Sequence, residues 1–142
     1  MIRLRNILQD RELFFVEPHQ TVLEVAQTMS RLKVGAILVV DGDRLSGIFS
    51  ERDLMTRVVV PGRDAATTPV GDVMSTHLAT IDESATSSEA MERMHEHKCR
   101  HLPVLSGGRV TGMISMRDLM DVELENKVEE IQQMRAYIAG SV

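Results

Sequence analysis

Apolar and polar positions alternate in short runs and recur at helical spacing in longer ones, and the switches between the two rhythms mark the elements. Ile2, Leu4, Ile7 and Leu8 give residues 2–9 an amphipathic opening segment. Phe14-Phe15-Val16 reads as a first strand, closed by the turn Glu17-Pro18-His19-Gln20. Thr21-Val22-Leu23-Glu24 is a capping box opening a helix with Val22, Val25, Ala26, Met29 and Leu32 on one face. The unbroken run Ala36–Val40 predicts a strand buried on both sides. Asp41-Gly42-Asp43 then turns a hairpin into a strand from Leu45 to Phe49, and a helix with Leu54, Met55, Val58 and Val59 follows Ser50.

Turn residues at Pro61-Gly62-Arg63-Asp64 and Thr67-Thr68-Pro69 mark a linker, after which the same order begins again. Leu78–Ile81 predicts a strand, Thr86-Ser87-Ser88-Glu89 a second capping box, and Leu102–Leu105 a second inner strand. Ser106-Gly107-Gly108 is a second hairpin turn, leading into Val110–Ile114. Pro103 donates no hydrogen bond, so its strand is expected at an edge or with a bulge.

Sliding the chain by 65 residues aligns Phe14–Met55 on Ala79–Met120 without a gap, with 13 of 42 positions identical and caps, turns and strands in frame. Chance does not preserve all three, so the chain is a tandem duplication. A lone β-α-β-β-α unit of this size cannot bury its sheet well. The expected fold is therefore α/β (α+β): two such units packed sheet to sheet about a pseudo-twofold axis, with two equivalent clefts. The expected boundaries are a first domain over residues 1–60 including the opening segment, a linker 61–70, a second domain 71–123 and an amphipathic helix 124–142.

Composition narrows the function. A chain of 142 residues with 43% apolar content has a real core, while aromatics at 3% and ten Met describe an aliphatic, adaptable interior without stacking platforms. Net charge is −5 and no basic run occurs, which argues against nucleic acid. Cys99 alone permits no internal disulfide, and the start Met1-Ile2-Arg3-Leu4-Arg5 leads into no long apolar stretch. Neither a signal peptide nor a membrane span is expected, and the expected location is cytoplasmic.

The motif at each strand end is Ser50-Glu51-Arg52-Asp53, repeated as Ser115-Met116-Arg117-Asp118. Ser followed three residues later by an acid is a helix start, in which hydroxyl and carboxylate satisfy free backbone N–H groups. Two capped helices are the plain structural reading. The functional reading adds an Arg beside each Asp at a helix N-terminus, where phosphate groups bind.

With these motifs duplicated, together with Arg100-His101-Leu102-Pro103-Val104 and the lead-in Asp72-Val73-Met74, the sequence resembles a tandem pair of cystathionine-β-synthase (CBS) domains, a Bateman module, over residues 1 to about 125. The resemblance implies regulatory binding of adenosine-containing ligands (AMP, ADP, ATP, NAD or S-adenosylmethionine) between the domains. It implies that Asp53 and Asp118 hold ribose hydroxyls, that Ser50 and Ser115 reach ribose or phosphate, and that Arg100 and His101 face phosphate. It further implies that Phe15 or Thr80 closes the pocket, and that Val34, Gly35, Cys99, Arg100, Ile48 and Met113 surround adenine. Phe15 departs from the small hydroxyl residue usual there, which favours the Asp53 cleft, served by Thr80. The chemistry agrees: a carboxylate accepting from two vicinal hydroxyls selects ribose. It also repels phosphate, which is then left to the helix N-terminus with Arg52 or Arg117.

His95, His97, Cys99 and His101 suggest zinc, but His95 and His97 are two apart on a predicted helix and point apart. No metal is expected there, and no nucleophile–base pair is legible, so no enzyme is expected. Leu124, Val128, Ile131, Met134 and Ile138 recur at helical spacing in the tail, open to packing on its own domain or on a partner. The sequence thus reads as a regulatory nucleotide-binding module, AMP foremost, acting as a homodimer on an effector protein. The rival reading is a structural dimerisation module with vestigial clefts.

Overall fold

A computed structural model describes residues 2–140 of the chain; Met1 and the last two residues of the tail helix expected over 124–142 lie outside the described residues. In order, the elements are α1 (Leu4–Leu8), β1 (Phe15–Val16), α2 (Val22–Leu32), β2 (Ala36–Asp41), β3 (Arg44–Ser50) and α3 (Glu51–Asp53), which continues as a π-helical turn over Leu54–Val59. A 3-10 turn (Val70–Asp72) leads into β4 (Ile81–Asp82), α4 (Ser87–His97), β5 (His101–Ser106), β6 (Arg109–Ser115) and α5 (Met116–Gly140). The strands form two three-stranded sheets, β1-β2-β3 and β4-β5-β6, each with a parallel and an antiparallel pair.

Local chemistry accounts for most of these elements. Thr21 and Thr86 cap α2 and α4 by accepting the N–H of the residue three on. Both helices end on a lysine in the left-handed conformation, Lys33 at φ 59° and Lys98 at φ 52°. Gly42 and Gly107, both with positive φ, make the hairpin turns. β2 is buried along Ala36–Val40, as its apolar run requires. The strand of Pro103 is central rather than at an edge. Its proline is tolerated because β4 pairs with β5 only from Val104 onward, and a register shift lies between Val104 and Leu105. The expected strand over Leu78–Ile81 shortens to Ile81–Asp82, and Phe14 lies just outside β1.

Three apolar clusters hold the layers together. α2 covers one face of the first sheet through Val22, Val25 and Met29 against Ile37, Val39 and Phe49. Ala90 and Met94 of α4 do the same with Leu102, Val104 and Ile114. Between the sheets, Ala36, Leu38, Val40 and Ile48 meet Val110 and Met113, which is the sheet-to-sheet packing that the duplication demands.

The opening segments cross over. Leu4 is fully buried in the core of the second repeat, and its N–H donates to the Ala85 carbonyl at 2.9 Å. Val70 and Val73, which precede the second repeat, are buried in the core of the first, where Val22 N–H donates to Thr68. The segment before each repeat therefore completes the other one. This crossing makes the two glycines in the outer strands unequal. A Cβ on Gly47 would lie 2.6 Å from the Ser75 carbonyl oxygen, whereas one on Gly112 would meet only the Leu8 methyls at 3.1 Å. Gly47→Ala is therefore expected to cost about 1–3 kcal/mol and Gly112→Ala clearly less, because a leucine end can give and a paired carbonyl cannot. Thermal melts of the two variants check this, and equal losses would contradict it.

Candidate functional site

The two strand-to-helix turns have the same local design and different surroundings. At the first, Ser50 Oγ accepts the Asp53 N–H at 3.2 Å while Asp53 Oδ2 accepts the Ser50 N–H at 3.0 Å. At the second, Asp118 Oδ2 accepts the Ser115 N–H at 2.8 Å and Ser115 Oγ accepts the Asp118 N–H at 3.1 Å. Both carboxylates thus act as caps through one oxygen, and what meets the other oxygen differs.

Asp53 is closed over by its own chain. Ser75 pairs with Ile48 through two backbone bonds, and its hydroxyl donates to Asp53 Oδ1 at 2.9 Å. Arg57 lies 3.6 Å from the same oxygen and also donates to the Met74 carbonyl at 2.9 Å. Asp53 is left 6% exposed. Ile48 is buried in the core between the sheets, and Thr80 uses its carbonyl to accept from Arg93. The sequence reading favours this cleft; in the structure Ser75 and Arg57 enclose the Asp53 carboxylate.

Asp118 instead faces a cleft of about 940 Å³, a size that suits a nucleotide. One wall is the start of β2, with Val34, Gly35, Ala36, Ile37 and Leu38. The other is the end of β6 and the first turns of α5, with Gly112, Met113, Ser115, Arg117 and Asp118, and Arg100 and His101 also line it. Leu8, Arg11, Glu12, Leu13 and Phe14 complete the lining from the crossed-over opening segment. Eight expected residues (Val34, Gly35, Arg100, His101, Met113, Ser115, Arg117 and Asp118) therefore come together here. Ser50, Arg52, Asp53, Ile48, Thr80, Phe15 and Cys99 do not line it. Phe14 stands where Phe15 was expected, because Phe15 is held in β1 opposite Leu38. Cys99 packs beside the core of the second repeat, and burial pushes its thiol up.

Arg11 and Lys33 are the cations of the cleft that the sequence reading missed. Arg11 Nη1 lies 3.2 Å from Asp118 Oδ1, an ion pair between two residues of the cleft lining. Burial alone would raise the Asp118 carboxyl; the Arg11 guanidinium and the Ser115 N–H and hydroxyl outweigh it, and the net shift is downward. Asp118 is thus ionised through the neutral range. Lys33 holds a left-handed conformation that costs a non-glycine residue about 1–2 kcal/mol.

The helix N-terminus contributes less than expected. Met116 N–H donates to the Arg100 carbonyl at 2.8 Å and Asp118 N–H goes to Ser115. These two amides are taken within the chain, which leaves much of the positive field to side chains. Arg11, Lys33, Arg100 and Arg117 face Glu12, Asp118 and Asp121 in the lining, a local cationic surplus on a chain of net charge −5. Burial holds the His101 imidazole below its usual value, against the pull of Asp118 and Glu51 and with the help of Arg100. Among the described residues no three His, Cys, Asp or Glu side chains gather as a metal would need, and no helix is long and apolar enough to cross a membrane.

Two β-α-β-β-α units facing each other across a pseudo-twofold axis, with a cleft at a capped strand end, define a tandem regulatory pair. The chain belongs to the CBS domain family, which it matches over residues 4–60 and 70–125. It is 34% identical over 125 residues to the mitochondrial CBS domain-containing protein CBSX3 of Arabidopsis thaliana, covering 84% of this chain and 61% of that relative. A protein with CBS domains from Burkholderia ambifaria superposes at a TM-score of 0.82 with 34% identity, over 87% of this chain and 95% of its own. The CBS domain protein PAE2072 from Pyrobaculum aerophilum, complexed with AMP, superposes at 0.74 with 26% identity, over 82% and 89%.

Proposed function

We propose that this CBS pair is a sensor of adenine nucleotides that binds one molecule per chain in the Asp118 cleft and performs no catalysis. The observation that carries the reading is the ionised Asp118 carboxylate facing a nucleotide-sized cleft, with aliphatic walls and four cationic side chains against three acids in the lining. Asp118 receives the ribose hydroxyls, and Val34, Ala36 and Met113 receive the base. Arg11 leaves Asp118 for the phosphate, with Arg100, Arg117 and Lys33. AMP is the favoured ligand, supported by the AMP complex of the Pyrobaculum relative; ATP and NAD are the competitors. The output passes to an effector protein or to a second copy of the chain. The rival reading, a structural module, draws on the Arg11–Asp118 pair, which satisfies the carboxylate without any ligand.

Titration calorimetry with AMP, ATP, NAD and S-adenosylmethionine decides between them. Binding of at least one nucleotide at one site per chain, with a raised melting temperature through linkage, supports the sensor. No heat from any of them leaves the structural module. The pH dependence adds a sign. His101 is neutral at pH 7 because its pKa is lowered, and a phosphate beside it favours the charged form. Binding of a phosphorylated ligand therefore takes up a proton, and affinity is expected to rise as pH falls from 8 to 6. A flat profile, or one unchanged in His101→Gln, would remove His101 from the phosphate side.

A further inference from the structure

The Asp118 carboxylate already has a partner on each oxygen. Oδ2 accepts the Ser115 N–H at 2.8 Å as part of the helix cap, which leaves Oδ1 for a ligand, and Arg11 Nη1 lies 3.2 Å from it. Neither side chain is sealed in; Arg11 is 45% exposed and Asp118 24%. The matching oxygen of Asp53 meets the Ser75 hydroxyl at 2.9 Å, and Ser75 is pinned to Ile48 by two backbone bonds. One carboxylate is covered by a hydroxyl fixed in the fold, the other by a cation on a long, partly exposed side chain. Residues 9–14, which carry that cation, run exposed between α1, lodged in the second repeat through Leu4, and β1, paired in the first sheet. Arg11 N–H donates to the Leu8 carbonyl at 3.0 Å, which fixes the backbone from which the side chain swings.

Two kinds of ligand meet this pair differently. Ribose hydroxyls that reach Oδ1 must displace the guanidinium. A nucleoside offers Arg11 nothing in exchange, whereas a nucleotide brings a phosphate, which a guanidinium fork fits as well as it fits a carboxylate. We propose that Arg11 is the specificity-determining residue of the cleft: it withholds the Asp118 carboxylate from unphosphorylated nucleosides and yields it to nucleotides. The inference rests on the nucleotide reading of the cleft and adds the residue that sets the phosphate requirement. Breaking a partly exposed ion pair costs a few-fold in affinity, and a charge-assisted bond to phosphate returns about tenfold or more.

The test is titration calorimetry of AMP and of adenosine into the full native chain, Arg11→Gln and Arg11→Lys. In Arg11→Gln, adenosine is expected to bind about threefold tighter and AMP about tenfold more weakly, so the preference for AMP falls about thirtyfold. Arg11→Lys should keep part of that preference, since the charge remains. A side chain that merely supports the fold would change both ligands alike. Adenosine bound no tighter by Arg11→Gln, equal losses for both ligands, or an Arg11→Lys chain indistinguishable from Arg11→Gln overturns the proposal, while AMP binding to the native chain keeps the sensor reading. No heat from either ligand with any of the three forms sinks the sensor reading and the phosphate requirement with it. The ion pair is also read without ligand. In Asp118→Asn, trypsin is expected to cut after Arg11 several-fold faster than in the native chain, with cutting after the exposed Arg63 of the linker unchanged. An unchanged rate at Arg11 overturns the hold of Asp118 on this segment, whatever the cleft binds.

Discussion

Asp118→Ala is expected to weaken nucleotide binding by roughly a hundredfold or more, measured by titration calorimetry with AMP. Hydrogen bonds from ligand hydroxyls to a carboxylate are worth about 1.5–3 kcal/mol each, and about 1.4 kcal/mol is a factor of ten. Two such bonds are lost, and the loss is partly offset because Arg11 no longer has to leave a partner. The fold should be nearly indifferent. Asp118 is a cap worth about 1 kcal/mol and one half of a partly exposed ion pair worth about 0–1 kcal/mol. Native-like binding in this variant would place the ligand elsewhere.

The equivalent change in the other repeat should do the reverse. Asp53→Ala is expected to cost about 2–4 kcal/mol of stability, or roughly 10 °C in melting temperature, and to leave AMP affinity unchanged within about threefold. The carboxylate accepts from the Ser50 N–H, the Ser50 hydroxyl and the Ser75 hydroxyl, with Arg57 alongside. Removing it strands a serine hydroxyl and a guanidinium over a closed site. Differential scanning calorimetry alongside binding separates the two aspartates. Lost affinity without lost stability at Asp53 would interchange their roles.

Much of the architecture was legible because it is written locally. Thr21 and Thr86 announce their helices, Gly42 and Gly107 their hairpins, and the 65-residue repeat announces the paired sheets. The inequality of the two clefts was not legible, because it depends on where Ser75 and Arg11 land after the chain has crossed over. The crossing left one trace. Leu4, Ile7 and Leu8 match Val70, Val73 and Met74 at an offset of 66 rather than 65, a one-residue slip that the ungapped alignment, beginning at Phe14, does not reach. The preference for the Asp53 cleft through Thr80 weighs one residue without the segment that brings Ser75 onto Asp53. The exposed stripe of α5 was plain in the sequence, but only the structure shows that its own domain leaves it bare.

The reciprocal lodging of Leu4 and Val70 has a consequence for ancestry. A single ancestral copy with this lead-in would have had no cover for its own core, and would have been whole only when two molecules traded arms. The linker joins what was already interlocked, and severing it would release neither half.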